Sequence, residues 1–300
     1  MKLSPLFELT FLGITTVLFK RKDPLVGSII LTDKCNFSCI HCVVNNITAT
    51  VYPYSQIKSE MRQMYEAGVR ILLFYGGEPF LWKDQGLTVK DLVKEARQIG
   101  FGLVNIVTNG SFSLDLPEAD LILVSVDGTR ENHNRIRGNT YDLILENINK
   151  ATSDNICLYM ALNQINKNDL EDVCKLARRS KNVRTVSFNF HTPYPGTEFL
   201  KLTAEEKQNC CDEITNLIKK GYPVLNLKSA FPYIIGNTFR TPCKQCIIME
   251  NGRKWVCGRC NEIKGLCREC GFFFAAEYSL VFQGNLKVIL EMFRTYLKYI

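Results

Sequence analysis

From residue 26 onward the chain alternates short β-rich apolar runs with amphipathic stretches, and few folds accept that rhythm. The strand candidates are Val26–Leu31, Arg70–Tyr75, Leu103–Thr108, Leu121–Val126, Ile156–Leu162 and Thr185–Phe190. Helical periodicity separates them at Tyr54–Ala67, Thr88–Ile99, Tyr141–Ala151 and Asn168–Arg179, and returns at Ala204–Lys219; the link Asn109–Asp120 is short and poorly helical. Such alternation implies a parallel sheet with right-handed crossovers. Six units make an α/β fold of the partial (β/α)6 TIM type rather than a closed eight. The strands are nearly continuous apolar runs, so both sheet faces are expected to be covered. Active sites of such sheets sit at the carboxyl ends of the strands.

The rhythm stops after Gly221. The expected organisation is an N-terminal helix over 1–23, a core over 24–221, a cysteine-rich metal-binding module over 222–284 and an amphipathic C-terminal helix over 285–300. That last helix aligns Leu286, Ile289, Leu290, Phe293, Tyr296, Leu297 and Ile300. At the other end, the apolar run Leu9–Phe19 is too short to span a membrane, which takes about 20 residues. It precedes Lys20-Arg21-Lys22, whereas a secretory signal carries its charge first. It suits a helix packed on the domain or one lying on a membrane.

Thirteen cysteines decide the chemistry. An odd total in short CxxC steps points to metal or cluster ligation in a reducing compartment, hence the cytoplasm, rather than to a disulfide framework. Cys157, Cys174, Cys210 and Cys211 stand apart and read as ordinary thiols. The net charge of +7 fits an anionic partner without naming one. Only three histidines occur, which argues against a His-rich hydrolytic site.

Cys35, Cys39 and Cys42 follow the first strand directly. Three thiolates on a loop can wrap three irons of a cubane and leave the fourth iron open to an amino-acid chelate. Zinc, with His41 or a distant fourth ligand, is the other use of such a trio. The second strand ends in Gly76-Gly77-Glu78-Pro79, where glycines allow close backbone approach and Glu78 can accept bonds from an ammonium group. The tail carries three CxxC steps, Cys243/Cys246, Cys257/Cys260 and Cys267/Cys270, suited to an auxiliary [4Fe–4S] cluster or to a zinc ribbon. A zinc ribbon on nucleic acid is the non-enzymatic reading. Phe272-Phe273-Phe274 is apolar material rather than a nucleic-acid stripe, so no nucleic-acid partner is expected.

These residues together resemble the radical S-adenosylmethionine (SAM) superfamily, whose pattern is CxxxCxφC after strand one and GGE after strand two. The likeness continues through Thr108-Asn109-Gly110, Ser125-Val126-Asp127-Gly128, His133 to Gly138 and Asn163 to Asn168, as in the MoaA-like and SPASM-tailed branch. It covers about residues 24–200. The tail lacks the seven-cysteine SPASM pattern, which leaves the number of tail clusters open.

The resemblance implies a [4Fe–4S] cluster on Cys35, Cys39 and Cys42 and SAM as cosubstrate. It places His41 beside the adenine, has Gly76, Gly77 and Glu78 hold the methionine amino group, and offers Ser125 and Asn163 for the ribose or carboxylate. It also implies a reductant such as ferredoxin or flavodoxin. No catalytic side chain is singled out. The front end resembles the adenosyl hopene transferase type, which favours a lipid- or isoprenoid-like substrate and peripheral contact with the inner membrane face. A peptide substrate is the alternative.

Overall fold

The computed structural model describes residues 23–43, 47–242, 245–257 and 259–299. The expected N-terminal helix, with its apolar run and Lys20-Arg21-Lys22, lies outside those residues, as does Cys243. Six strands stand where the apolar runs place them: β1 Val26–Ile30, β2 Ile71–Tyr75, β3 Leu103–Thr108, β4 Leu121–Ser125, β5 Ile156–Leu162 and β6 Val183–Phe190. They pair in parallel and in chain order. Helices α1 Tyr54–Glu66, α2 Val89–Ile99, α3 Arg130–Arg137, α4 Tyr141–Lys150 and α5 Leu170–Arg179 cross between them, and α6 Ala204–Lys219 follows β6.

Two further strands come from the cysteine-rich segment. β7 Cys246–Glu250 pairs in parallel with β1, and β8 Arg253–Val256 returns antiparallel on β7. Residues 246–256 of the expected appended module are therefore part of the main sheet. The hairpin turns at Asn251-Gly252, whose φ values of 46° and 82° are those of the left-handed pair that favours Asn-Gly. The eight strands run in the order β8-β7-β1-β2-β3-β4-β5-β6, with β8 and β6 at the two edges, so the barrel is incomplete.

The two faces of the sheet differ. Ile29, Leu72, Phe74, Ile106, Val124 and Leu158 on the helix-covered face are fully buried. Gly27 belongs to this face, where a Cβ would meet Met64 Sδ and Val69 Cγ1 at 2.8 Å. On the concave face, Ser28, Leu73, Asn105, Val107, Tyr159 and Ser187 keep part of their surface open. The expectation of cover on both faces holds in full for the convex side and in part for the concave one, where Ile30, Ser125, Cys157 and Thr185 are buried. The concave face mixes polar and apolar side chains.

The C-terminal residues close its foot. Beyond α7 Phe231–Ile235, α8 Phe273–Phe282 and α9 Leu286–Tyr299 lie side by side. Tyr278 of α8 packs on Val26, Ile71, Leu103 and Cys246, the first residues of β1, β2, β3 and β7, and its phenol meets that of Tyr296 at 3.4 Å. Gly271 fixes the entry to α8: its carbonyl accepts from Phe190 N at 2.9 Å, and a Cβ there would stand 2.0 Å from Phe190 O. Phe272-Phe273-Phe274 thus opens a nearly all-apolar helix, which has no polar face to betray its period.

Candidate active site

The loop after β1 carries Cys35, Cys39 and Cys42 across the carboxyl ends of the strands. Backbone bonds hold it there. Gly77 N donates to Thr32 O and Glu78 N to Lys34 O, both at 2.8 Å, extending the β1–β2 ladder into the loop. The glycines serve this approach, because a Cβ on Gly76 or Gly77 would stand 2.2 Å from Thr32 O or Lys34 O. From the other side, Ile40 N donates to Ile136 O of α3 at 3.0 Å. Asp33, almost fully buried, receives bonds from Thr48 and Thr50. Burial opposes its charge, but these bonds prevail and its pKa is lowered.

The sulfurs collect donors. Phe37 N points at Cys35 Sγ at 3.4 Å and Asn109 Nδ2 at 3.8 Å, while Arg137 Nη1 lies 3.7 Å from Cys39 Sγ. Burial pushes Cys39 up to about 11 against the pull of Arg137, and raises Cys35 as well. Cys39 and Cys42 also lie within each other's electrostatic reach, as do Cys35 and Cys42. Among the described residues, no three side chains of ligating type converge on a single-ion position. Half-buried thiols met by N–H donors are suited to anionic sulfur, and a cationic iron cluster would supply the missing reason for deprotonation. The donor set therefore fits the implied cluster.

Glu78 is fully buried at the end of β2. Its carboxylate accepts from Phe80 N at 3.0 Å, Thr108 Oγ1 at 2.8 Å and Asn109 N at 2.7 Å. Burial still lifts its pKa to about 7. Glu78 thus joins the ends of β2 and β3 and positions Asn109 against Cys35. Ser125, at the end of β4, is buried. Asn163 closes its own turn, donating to Ala161 O at 3.0 Å and accepting from Ile165 N at 2.9 Å.

His41 stands at the mouth, 14% exposed, edge-on to His191 with ring centroids 6.3 Å apart. Burial and then Arg137 depress its pKa to about 4, so the ring is neutral. Its Nδ1 is buried without a hydrogen-bond partner, which leaves a polar ring atom for a bound group to satisfy. Asp127, Arg137 and Asn109 were not singled out from sequence as site residues. All three belong to the motifs that carried the family resemblance, and their placement at strand and helix ends was the available clue.

The tail cysteines form two sets. Cys246 and Cys257 meet at the foot of the β7–β8 hairpin, where Cys257 N donates to Cys246 O at 2.9 Å. Cys260, Cys267 and Cys270 lie close enough to disfavour one another's charge, and burial pushes Cys270 up to about 12. Tyr194, whose pKa is raised by burial and by Cys260, joins this second set to Tyr75 on the concave face.

Residues 29–177 match the family model described as Radical SAM superfamily. Among curated proteins, Fe-coproporphyrin III synthase of Methanosarcina barkeri is 27% identical over 217 residues, covering 64% of this chain and 52% of that protein. GTP 3′,8-cyclase of Campylobacter jejuni subsp. doylei is 22% identical, covering 89% and 87%. The chain thus spans about half the length of the first of these relatives. Among solved structures, Streptococcus suis SuiB bound to S-adenosylmethionine superposes with a TM-score of 0.63 at 11% identity, covering 90% of this chain and 66% of that one. That likeness is one of fold.

Proposed function

The chain belongs to the radical SAM superfamily, and from that premise we propose that it cleaves S-adenosylmethionine reductively at the mouth of the barrel to modify a substrate held in the lumen. The observation that supports this reading best is the convergence of N–H donors on Cys35 and Cys39 in a loop braced from both sides. Cys35, Cys39 and Cys42 would hold the [4Fe–4S] cluster. When bound, the cluster would supply the electron for reductive cleavage of the SAM sulfonium.

The chain's own residues bind, orient and shield. Gly76 and Gly77 keep the loop on the end of β2, and Glu78 holds Asn109 toward Cys35. Neutral His41 offers its ring and its unpartnered Nδ1 to the adenosyl group, and Ser125 offers a hydroxyl from the end of β4. The foot closed by Tyr278 and Tyr296 limits water entry from below, which matters for a reactive intermediate. An electron carrier such as ferredoxin or flavodoxin is the expected partner.

For the tail, we propose an auxiliary site on Cys260, Cys267 and Cys270, with Cys246 and Cys257, and Cys243 by its CxxC spacing, as further ligands. Iron and acid-labile sulfide analysis of protein purified without air tests both claims. The expected content exceeds four irons per chain and falls by about four when Cys35, Cys39 and Cys42 are replaced together by alanine. Four irons with zinc in the tail would limit the account to one cluster; no iron would reject it.

The substrate reading is lipid- or isoprenoid-like. Supporting it is α9, where Leu286, Leu290, Phe293 and Leu297 form an exposed stripe beside Lys287, Arg294 and Lys298. No helix among the described residues is long and apolar enough to cross a membrane. Tyr296 of α9 meets Tyr278 at the foot of the barrel, at the opposite end of the strands from the cysteine loop.

A further inference from the structure

We propose that Arg137 and Asp127 set the reduction potential of the cluster held by Cys35, Cys39 and Cys42, with Arg137 acting through Cys39. This rests on the cluster reading above and adds a role for two residues to which that reading gives none.

Arg137 is buried, 11% exposed, and is held at three points. Its Nε donates to Asp127 Oδ2 at 2.6 Å, Nη1 lies 3.7 Å from Cys39 Sγ, and Nη2 lies 3.4 Å from His41 Nε2. Asp127 has no exposed surface and also accepts from Ala161 N at 2.9 Å. A buried ion pair is an expensive way to hold a loop, since desolvation consumes much of its attraction. The loop does not need it for that purpose: Gly77, Glu78 and the carbonyl of Ile136 already brace it by backbone bonds. The guanidinium instead brings a permanent positive charge and an N–H donor to one ligand sulfur, in surroundings where charge is weakly screened. Charge and hydrogen bonds at the sulfurs are the levers by which a protein tunes an iron–sulfur potential.

Reduction adds one electron to the cluster and breaks no bond. The added negative charge is favoured by Arg137 and opposed by Asp127, so the two residues act with opposite sign. In full-length protein prepared without air, the cluster is titrated with dithionite in the absence of SAM and followed by electron paramagnetic resonance. The signal concerned is the one that SAM addition perturbs.

R137Q is expected to lower the midpoint potential, R137K to restore most of the loss, and D127N to raise the potential above wild type. A merely structural role would not give shifts of opposite sign. Wild-type potentials in both R137Q and D127N, or shifts in one direction, would overturn the proposal. If R137Q does not fold, D127N decides: a rise supports the proposal, and no change or a fall overturns it. A wild-type protein with no SAM-sensitive signal would instead be a failure of the cluster reading.

Discussion

Glu78 shows how one residue can carry a family signature and a structural duty together. From sequence it is an acceptor for the amino group of SAM. In the structure its two oxygens already receive three protein donors, from Phe80, Thr108 and Asn109. Replacement by glutamine turns one acceptor into a donor that faces N–H or O–H groups. Leaving buried donors unsatisfied costs about 1–3 kcal/mol each. Glu78→Gln is therefore expected to lower the melting temperature by several degrees and to weaken SAM binding by displacing Asn109. Calorimetry with SAM and a thermal melt read the two effects. Unchanged affinity with a lowered melting temperature would confine Glu78 to its structural duty.

The cysteine trio and the glycine pair were legible in the sequence because their spacing follows recognisable strand ends. The partners that aim at the sulfurs were not. Asn109 and Arg137 reach Cys35 and Cys39 across 74 and 98 residues of chain, and a one-dimensional reading has no distance to offer for such pairs.

At the scale of elements, the alternation predicted six strands and the helices between most of them, because amphipathic period and β-rich runs are local properties. Short, strongly polar α3 escaped it, and so did two other kinds of element. Strand β7 is short and flanked by cysteines, so the metal motif drew attention from Ile247, Ile248 and Met249; Asn251-Gly252 was the hairpin mark that could have found it. Helix α8 is apolar on nearly every side, and a helix without a polar face leaves no periodic trace.

α8 also buries a carboxyl group far from the cysteine loop. Glu277 accepts from Leu227 N at 2.9 Å, and burial lifts its pKa to about 8. Its folded pKa is raised, so the stability it contributes is fully present below the ordinary carboxylate range near 4.5. That stability is lost as pH rises through about 8. Glu277→Gln mimics the neutral acid. The variant is expected to be less destabilised relative to wild type at pH 8.5 than at about pH 6, as read by denaturant melts at both values. An equal difference at the two pH values would show that Glu277 is not titrating in this window.

At the largest scale, the described residues form an incomplete barrel with the cysteine loop at its mouth and Tyr278 covering its foot. Its fold class was plain from the order of elements, but the open concave face was not, since a strand buried on one side and one lining a lumen can share the same apolar residues. The exposed stripe on α9 makes a prediction at this scale. With Lys287, Arg294 and Lys298 beside it, the protein should sediment with anionic vesicles. Each basic residue near the surface adds about 1 kcal/mol, an attraction that weakens with salt. L290S/F293S, two changes on the exposed face, should reduce binding without lowering the melting temperature. Failure to bind anionic or neutral vesicles would remove the support for a lipid substrate and leave the peptide reading ahead.

SAM cleavage is the decisive property of the whole molecule. Protein reconstituted with iron and sulfide and reduced by dithionite without air should release 5′-deoxyadenosine and methionine from SAM. The C35A/C39A/C42A variant should release neither while its tail cysteines still bind metal. Release of 5′-deoxyadenosine by that triple variant at the wild-type rate, or its absence from fully reconstituted wild-type protein, would contradict the central claim.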